Sequence, residues 1–225
     1  MENKADLHQK NIDTYKTKES VTHYEKLTKI KDVEKFLIGK YFSGKILDLG
    51  CGVGRTTKYI ADKDFDVLGV EIVEDMVKRA KEIYPKVKFE VGDACKLKYK
   101  DESFDVVFFS FNGLDYVYPE SRRVIAIQEI ERVLKKGGYF IYSSHNPISL
   151  FFKFRPGLLL RSLKEGKILS KYKPEKNASF GTVYTYFGTH KHQKKLVESN
   201  TSLKLVEIVP KSIKEIHPHY VFRKQ

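Results

Sequence analysis

The fold of this chain is decided by the stretch Lys45-Ile46-Leu47-Asp48-Leu49-Gly50-Cys51-Gly52-Val53-Gly54-Arg55-Thr56-Thr57. Its first residues form a short apolar run that contains one acid, which predicts a buried strand, and the residues from Thr56 onward predict a helix. The glycines therefore lie at a strand-to-helix turn, where the missing Cβ atoms permit positive φ and let backbone N–H groups approach a ligand. A doubly wound α/β sheet holds its ligand at such a turn, so we expect a nucleotide-like cofactor there.

The residues around this turn alternate between strand and helix patterns. Residues 1–30 predict a helical cap, and Asp32 is expected to cap a helix over residues 33–40. Later strands are predicted at residues 66–70, 87–91, 104–110, 139–144, 182–187, 203–209 and 220–222. Helices are predicted at residues 56–62, 74–84, 119–135 and 190–199. Gly137-Gly138 are expected to end the helix over residues 119–135. This alternation predicts an α/β fold with a mainly parallel sheet.

Length, charge and cysteine content limit the class of protein. The chain has 225 residues, 41% of them hydrophobic, which suffices for the core of one α/β domain. No apolar run is long enough to span a bilayer, the first residues do not resemble a secretory signal, and Cys51 and Cys95 suit a reducing compartment. We therefore expect a cytoplasmic protein without integral membrane association.

The net charge of +13, from 42 Lys+Arg against 29 Asp+Glu, favours anionic partners. RNA, phosphorylated substrates and a membrane surface all fit that description. A lysine-rich solvated surface without functional meaning fits it equally well, since net charge governs solubility and association rather than fold.

Three acids follow the predicted strands in a pattern. Asp48 belongs to the glycine turn, Glu71 follows Gly50 by 21 positions at the end of the second strand, and Asp93 follows the third strand. In the strand order 3-2-1-4-5 these acids meet at the carboxyl edge of the sheet, beside the point where the strand order reverses. A carboxylate at the end of the second strand can accept hydrogen bonds from both hydroxyls of a ribose, as it does for a dinucleotide.

Two details separate the alternatives for the cofactor. The glycines are spaced G-x-G-x-G, whereas a dinucleotide fingerprint needs G-x-G-x-x-G and would place its third glycine at Arg55. An acid within the turn, Asp48, would repel a pyrophosphate but can hold the cationic amino group of an amino acid. The predicted ligand is therefore an adenosine joined to an amino acid.

This combination resembles the class I S-adenosylmethionine-dependent methyltransferases, in particular the small single-domain enzymes that include ubiquinone and sterol methyltransferases. The resemblance covers residues 45–144: LDLGCGVGR matches the first motif, VLGVEI the second, VGDAC the turn beside adenine, FDVVFFSFNGLDYV the fourth motif and VLKKGGYFIYSS the fifth-strand segment. It implies a Rossmann-like sheet of seven strands in the order 3-2-1-4-5-7-6, with strand 7 antiparallel and with an N-terminal helical cap.

The resemblance also implies which residues contact S-adenosylmethionine. Asp48 would lie near its amino group, Glu71 on its ribose hydroxyls and Asp93 on its exocyclic amine. Arg55 and Tyr24 would reach the methionine carboxylate or close over the cofactor, although a packing role suits both residues as well. The full implied set is Tyr24, Asp48, Gly50, Cys51, Gly52, Gly54, Arg55, Glu71, Ile72, Met76, Asp93, Ala94, Ser110, Phe111 and Asn112.

Methyl transfer from a sulfonium is an in-line displacement with an activated leaving group, so it requires neither a metal ion nor a covalent nucleophile. Alignment contributes roughly 7–11 kcal/mol, and a general base adds about 10²–10⁴-fold where the acceptor must lose a proton. Candidates for that base or for orienting the acceptor are His145 and Asn146 after the fifth strand and Tyr116 after the fourth. His145 would serve equally well as an anchor for a cap. We expect no metal site, because the two His-x-His pairs lack further ligands.

We divide the chain into a cap at residues 1–43, a core at residues 44–144, an inserted lid at residues 145–188 and a C-terminal part at residues 189–225. The lid is expected to determine which acceptor the protein methylates. The stretch 151–176 carries eight Lys/Arg and two Glu beside an apolar run at residues 148–163. It fits a lid over a small acceptor with an acidic group, an RNA-binding surface, a contact with a membrane surface, or a simple cover of the core.

A non-catalytic module that binds S-adenosylmethionine would carry the same glycine turn. DNA adenine methylation is disfavoured, because residues 110–113 lack the N-P-P-Y/F signature.

Overall fold

A computed structural model describes residues 4–147, 172–177, 181–210 and 216–225. The helices among these residues are α1 Lys4–Tyr15, α2 Lys18–Glu25, α3 Asp32–Tyr41, α4 Arg55–Ala61, α5 Glu74–Ile83, α6 Glu120–Val133 and α7 His190–Glu198, with a 3-10 helix at Gly113–Tyr116. The strands are β1 Lys45–Leu49, β2 Asp66–Glu71, β3 Lys88–Val91, β4 Phe104–Phe109, β5 Leu134–Ser143, β6 Tyr172–Asn177, β7 Gly181–Tyr186, β8 Lys204–Val209 and β9 His219–Arg223.

Seven of these strands form one sheet in the order β3-β2-β1-β4-β5-β9-β8. Strands β1 to β5 are parallel, and β9 inserts antiparallel between β5 and β8. Since β8 and β9 are the sixth and seventh strands of this sheet along the chain, the predicted order 3-2-1-4-5-7-6 is confirmed. Strands β1 and β4 lie at its centre and are buried almost throughout, because both faces of the sheet are covered by apolar clusters.

The junction between α6 and β5 differs from the prediction. The helix ends at Val133, and β5 begins at once with Leu134, which pairs with Phe104 of β4. Gly137 and Gly138 therefore lie within the strand and do not stop the helix. Gly138 allows a close approach, since a Cβ atom there would lie 2.7 Å from the carbonyl oxygen of Asp105. Pairing with β4 thus overrides the helical pattern of the sequence.

The N-terminal cap consists of three helices. Asp32 does not cap α3 as predicted, because the N-cap is Lys31, whose backbone N–H donates to the Glu34 side chain at 2.8 Å. Glu34 lies at the third helical position, so its carboxylate satisfies an amide that the helix itself leaves unpaired.

The segment predicted to be an inserted lid, residues 145–188, is described in part. Strands β6 and β7 pair as an antiparallel hairpin outside the main sheet; β7 covers most of the strand predicted at residues 182–187, whereas no strand was predicted where β6 lies. The predicted apolar run at residues 148–163 and the basic residues up to Lys171 lie outside the described residues. Within the described part of the chain, no helix has the length and apolar character needed to cross a bilayer.

Candidate active site

A cavity lies at the carboxyl edge of the parallel strands, where β1 to β4 end. One side is built from the glycine turn, from residues 71–73 after β2 and from residues 92–94 after β3. The opposite side comes from helices α1 and α2 and the 3-10 helix, through His8, Asn11, Tyr15, Tyr24 and Tyr116. The cavity thus joins the predicted cofactor edge to a roof supplied by the N-terminal cap.

Most of the predicted site residues line this cavity. Those that do are Tyr24, Gly50, Cys51, Gly52, Arg55, Glu71, Ile72, Met76, Asp93, Ala94, Ser110, Phe111 and Tyr116. Asp48, Gly54, Asn112, His145 and Asn146 lie behind the lining.

The glycine turn has the left-handed backbone that its composition predicts, with φ of +65°, +54° and +89° at Gly50, Gly52 and Gly54. Its N–H groups, however, are largely used within the protein. The Cys51 N–H donates to the Val70 carbonyl at 3.1 Å, and the Gly54 N–H donates to the Cys51 carbonyl at 3.0 Å. The Gly52 N–H donates to the Glu71 side chain at 3.1 Å. These three amides are engaged within the protein, and a contact between the backbone N–H groups of the turn and a ligand stays a prediction. A turn without these donors is poorly suited to a pyrophosphate.

The three glycines have different reasons to lack a side chain. A Cβ atom on Gly52 would meet only the Met76 sulfur, at 3.9 Å, so this position borders the cavity and leaves room for a ligand. A Cβ atom on Gly54 would lie 2.6 Å from the Phe89 ring, and one on Gly50 would lie 2.4 Å from the Phe109 ring. Gly54 therefore serves the packing of α4 against β3 rather than the ligand.

Glu71 ends β2 and closes over the glycine turn. Its carboxylate accepts hydrogen bonds from the backbone N–H groups of Gly52 at 3.1 Å and Val73 at 3.0 Å. Burial raises the pKa of Glu71, and these amide hydrogen bonds oppose that rise. The side chain is held in one orientation and still lines the cavity, where its remaining lone pairs can accept hydroxyl donors.

Asp48 lies behind the turn rather than in the cavity. One carboxylate oxygen accepts hydrogen bonds from the hydroxyls of Thr56 at 2.7 Å and Thr57 at 2.6 Å, and the other is buried without a partner among the described residues. Burial raises the pKa of Asp48 to about 6, although both threonines favour the charged form. Asp48 thus joins β1 to the first turn of α4.

Asp93 follows β3 and lines the cavity with both carboxylate oxygens already engaged. One accepts the backbone N–H of Cys95 at 2.8 Å, and the other forms an ion pair with Arg122 of α6 at 2.7 Å. The arrangement fixes the carboxylate in place. Each oxygen retains lone-pair capacity for one more donor.

Arg55 opens α4, and its guanidinium is bound by the N-terminal cap. It forms two hydrogen bonds of 2.7 Å to Glu34 and one of 3.0 Å to the Lys29 carbonyl, and it lies over the Phe111 ring at 5.1 Å. Burial alone would raise the pKa of Glu34, but the Arg55 guanidinium and, after it, Lys31 together hold that pKa below its usual value. Since these contacts occupy both terminal nitrogens, Arg55 acts in this structure as a wall of the cavity.

Aromatic rings line the part of the cavity away from the glycine turn. Tyr15 lies between Tyr24 and Tyr116, with ring centroids 5.9 Å and 5.5 Å apart, and Tyr24 meets Phe111 edge-on at 6.2 Å. The Tyr15 hydroxyl is hydrogen bonded to the other two tyrosines, and burial, above all, raises its pKa well above the usual value. Phe111 adopts φ of +56°, a left-handed conformation that is strained for a residue with a side chain.

His145 and Asn146 lie behind this aromatic wall. The Nδ1 atom and the backbone N–H of His145 bond to Asp115 at 2.9 Å and 2.7 Å, and its Nε2 atom lies 3.4 Å from the Asn112 amide nitrogen. Asn146 is buried, and its backbone N–H donates to the Ile216 carbonyl at 2.9 Å. The ring of Tyr116 stands between His145 and the cavity, with the two centroids 6.1 Å apart.

Sequence reasoning missed the residues that hold the roof. Asn11 of α1 donates to the carbonyls of Tyr116 at 3.0 Å and Tyr184 at 2.9 Å and accepts the Tyr184 N–H at 2.7 Å, so one amide side chain joins three elements. Asp115, fully buried, was missed as the partner of His145. The helical spacing of Ile12 and Tyr15 was a signal for an inward face of α1, but it does not identify Asn11.

Residues 46–138 match the model of a family described as a methyltransferase domain. The match spans 93 of the 225 residues and identifies a methyltransferase domain within the chain. A solved S-adenosylmethionine-dependent methyltransferase from Methanosarcina mazei has the same fold, with a TM-score of 0.70, 21% identity and coverage of 84% of this chain and 96% of that one.

Two curated methyltransferases are similar in sequence to this domain. Demethylmenaquinone methyltransferase of Paenarthrobacter aurescens is 33% identical over 53% of this chain and 46% of its own length. The 2-methyl-6-phytyl-1,4-hydroquinone methyltransferase of Synechocystis sp. is 38% identical over 45% of this chain and 32% of its own length. The chain thus matches less than half of the length of each of these relatives.

The residues that line this cavity fit S-adenosylmethionine. The open side of Gly52 leaves space for an amino-acid chain, and Glu71 presents a fixed acceptor for hydroxyl groups. Ile72 and Met76 offer an apolar surface for a flat base. Near Asp93, both ring nitrogens of His8 are buried without a partner among the described residues, which leaves hydrogen-bonding capacity for a ligand.

Proposed function

We propose that this protein transfers a methyl group from S-adenosylmethionine to an oxygen or nitrogen atom of a small, largely apolar acceptor. The observation that carries the proposal is the continuity of one cavity from Gly52 and Glu71 to the rings of Tyr15, Tyr24 and Tyr116. A cofactor at the sheet edge occupies the first part, which leaves the aromatic part for the acceptor. The product of the cofactor would be S-adenosylhomocysteine.

The cofactor edge would bind through three acids with separate tasks. Glu71 accepts the two ribose hydroxyls, Asp93 faces the exocyclic amine of adenine, and Asp48 stabilises the turn from behind because it makes its hydrogen bonds to α4. Asp48 would reach the amino group of the cofactor only through an intervening water or after a rearrangement. The methionine end lies against Gly50 and Gly52.

When bound, S-adenosylmethionine would supply an electrophilic methyl group, with a neutral thioether as its leaving group. The bond from carbon to the acceptor atom forms as the carbon–sulfur bond breaks, and a proton on the acceptor atom passes to a base or to water. The chain's contribution is alignment, worth roughly 7–11 kcal/mol for well-oriented reactants. The half-buried rings of the roof would shield the line of displacement from water.

Tyr116 is the best placed of the predicted catalytic residues, because it alone among Tyr116, His145 and Asn146 lines the cavity. We assign it to orienting the acceptor. His145 becomes a positioning residue: Asp115 binds both its ring and its backbone N–H, and its ring packs on that of Tyr116. Asn146 supports the same loop through its backbone.

An aromatic acceptor is supported by two independent observations. The walls of the acceptor part are phenol and phenyl rings, which pack favourably on a flat ring edge-on or offset. The curated relatives are named for methylating a demethylmenaquinone and a hydroquinone. A phenol or hydroquinone would also find hydrogen-bond partners in the tyrosine hydroxyls.

The test combines the purified protein and S-adenosylmethionine labelled in its methyl group with an extract of cells that lack the protein. The extract is then separated into RNA, protein, lipid and small-molecule fractions, and a Glu71→Gln variant serves as the control. The proposal expects label in the small-molecule or lipid fraction with the wild type only. Label in RNA would show the acceptor to be wrong. No label, together with intact S-adenosylhomocysteine binding, would favour a non-catalytic module.

A further inference from the structure

His8 lies on the inner face of α1, in the part of the cavity that ends at β3. It lines the cavity together with Gly92, Asp93 and Ala94. Its imidazole senses the charges of both Asp93 and Arg122, which form the ion pair at this end of the site. The helix therefore brings a histidine to the residues that would face adenine.

Both ring nitrogens of His8 are buried and have no hydrogen-bond partner among the described residues. The Nε atom of the neighbouring Arg122 is in the same situation. Native proteins pair nearly all their buried polar atoms, because leaving one unpaired costs free energy. Several unpaired atoms beside one cavity indicate that a bound molecule supplies their partner.

The chemistry of His8 indicates the class of that molecule. Burial and, second, the positive charge of Arg122 lower the pKa of His8, against the opposing effect of Asp93. A neutral imidazole offers one N–H donor and one acceptor nitrogen. It suits a neutral group with both donors and acceptors, such as the edge of a nucleobase, and it would bind a phosphate poorly.

We infer that His8 contacts the cofactor, with a ring nitrogen hydrogen bonded to the adenine edge of the S-adenosyl group beside Asp93. This inference rests on the proposed function, and it adds α1 to the elements that recognise the cofactor. Because α1 also carries Asn11 and Tyr15 of the roof, binding of adenine at one end of the helix would order the acceptor part at the other. His8 is separate from the acids and glycines that the motifs identify.

The test measures S-adenosylhomocysteine binding by calorimetry for the wild type, His8→Leu and His8→Gln, with His192→Leu on the exposed face of α7 as the matched control. Loss of one buried hydrogen bond predicts a dissociation constant roughly ten- to a hundredfold higher for His8→Leu. His8→Gln keeps a donor and an acceptor and should recover part of the affinity. His192→Leu should bind as the wild type does.

Thermal unfolding without ligand separates a binding role from a structural one. Because the His8 nitrogens have no hydrogen-bond partner among the residues that the structure describes, His8→Leu should be at least as stable as the wild type while binding more weakly. A lower melting temperature with unchanged affinity would overturn the inference and leave the proposed function standing. Absence of S-adenosylhomocysteine binding by the wild type itself would instead refute the proposed function.

Discussion

The two ends of the cavity are built in different ways. At the cofactor end, the binding groups follow directly after β1, β2 and β3, so neighbouring strands of one sheet place them side by side. At the roof, α1, the 3-10 helix and β7 meet through single side chains, above all Asn11, whose partners lie 105 and 173 residues away. The first end is a property of the sheet, whereas the second depends on a few long-range hydrogen bonds.

The buried Glu34–Arg55 pair, which links the cap to the glycine turn, should give the largest effect. Glu34→Ala removes both acceptors from a guanidinium that is only 11% exposed, so we expect the free energy of unfolding to fall by about 3–5 kcal/mol. Urea unfolding measures it, and Asp32→Ala, two residues earlier in α3 and exposed, is the control. If the cap were only loosely attached, the two variants would be equally stable. In the double variant with Arg55→Ala, the loss should be smaller than the sum of the single losses.

The next effect concerns Asp48 and depends on pH. Its pKa is about 6 in the folded protein and near 3.8 in the unfolded chain, so the folded state binds more protons between these values. The contribution of Asp48 to the free energy of unfolding is therefore fully present below about pH 4. It falls by up to about 3 kcal/mol as the pH rises to 6.

Asp48→Asn cannot titrate and keeps an acceptor for the threonines. The unfolding free energy is measured without cofactor at pH 4 and pH 7.5. In the wild type, Asp48 should lower it by up to about 3 kcal/mol between these two pH values, and this loss should be absent in Asp48→Asn. Asp64→Asn on the surface should follow the wild type. An Asp48→Asn curve that parallels the wild type would show that Asp48 is not desolvated.

Glu71 tests the cofactor end directly. Glu71→Gln should raise the dissociation constant of S-adenosylhomocysteine roughly a hundredfold, about 2.7 kcal/mol, because hydrogen bonds to a charged acceptor are stronger than those to a neutral one. Calorimetry measures it, with the exposed Glu74→Gln as the matched control. Because burial raises the pKa of Glu71, affinity should also fall as the pH drops through that raised value. Equal affinity of both variants would remove Glu71 from the ribose site.

Asn11 tests the roof and should give the smallest effect. Asn11→Ala removes three hydrogen bonds, one from the Tyr184 N–H and one each to the Tyr116 and Tyr184 carbonyls, which should lower stability by about 2 kcal/mol. The specific sign is faster hydrogen exchange at the Tyr184 amide. Gln9→Ala, which removes an exposed amide from the same helix, should leave that exchange rate unchanged. Equal exchange in both variants would mean that Asn11 does not hold the roof.

The same contrast explains what the sequence could predict. The strand order and the positions of Glu71 and Asp93 follow from local patterns, because each acid directly follows its own strand. Two tertiary contacts could not be predicted, because no local sequence pattern indicates them. They are the ion pair between Arg55 and Glu34 and the hydrogen bond from the Gly52 N–H to Glu71. The early start of β5 at Leu134 is a third case, since pairing with Phe104 overrides the helix pattern.

A crystal structure with S-adenosylhomocysteine tests most directly whether the cavity divides into a cofactor part and an acceptor part. We expect the ribose hydroxyls on Glu71, the adenine between His8 and Asp93, and the sulfur atom facing open space bounded by Tyr15, Tyr24 and Tyr116. A ligand that fills the aromatic part, or that binds away from the edge of β1 and β2, would contradict methyl transfer in this cavity.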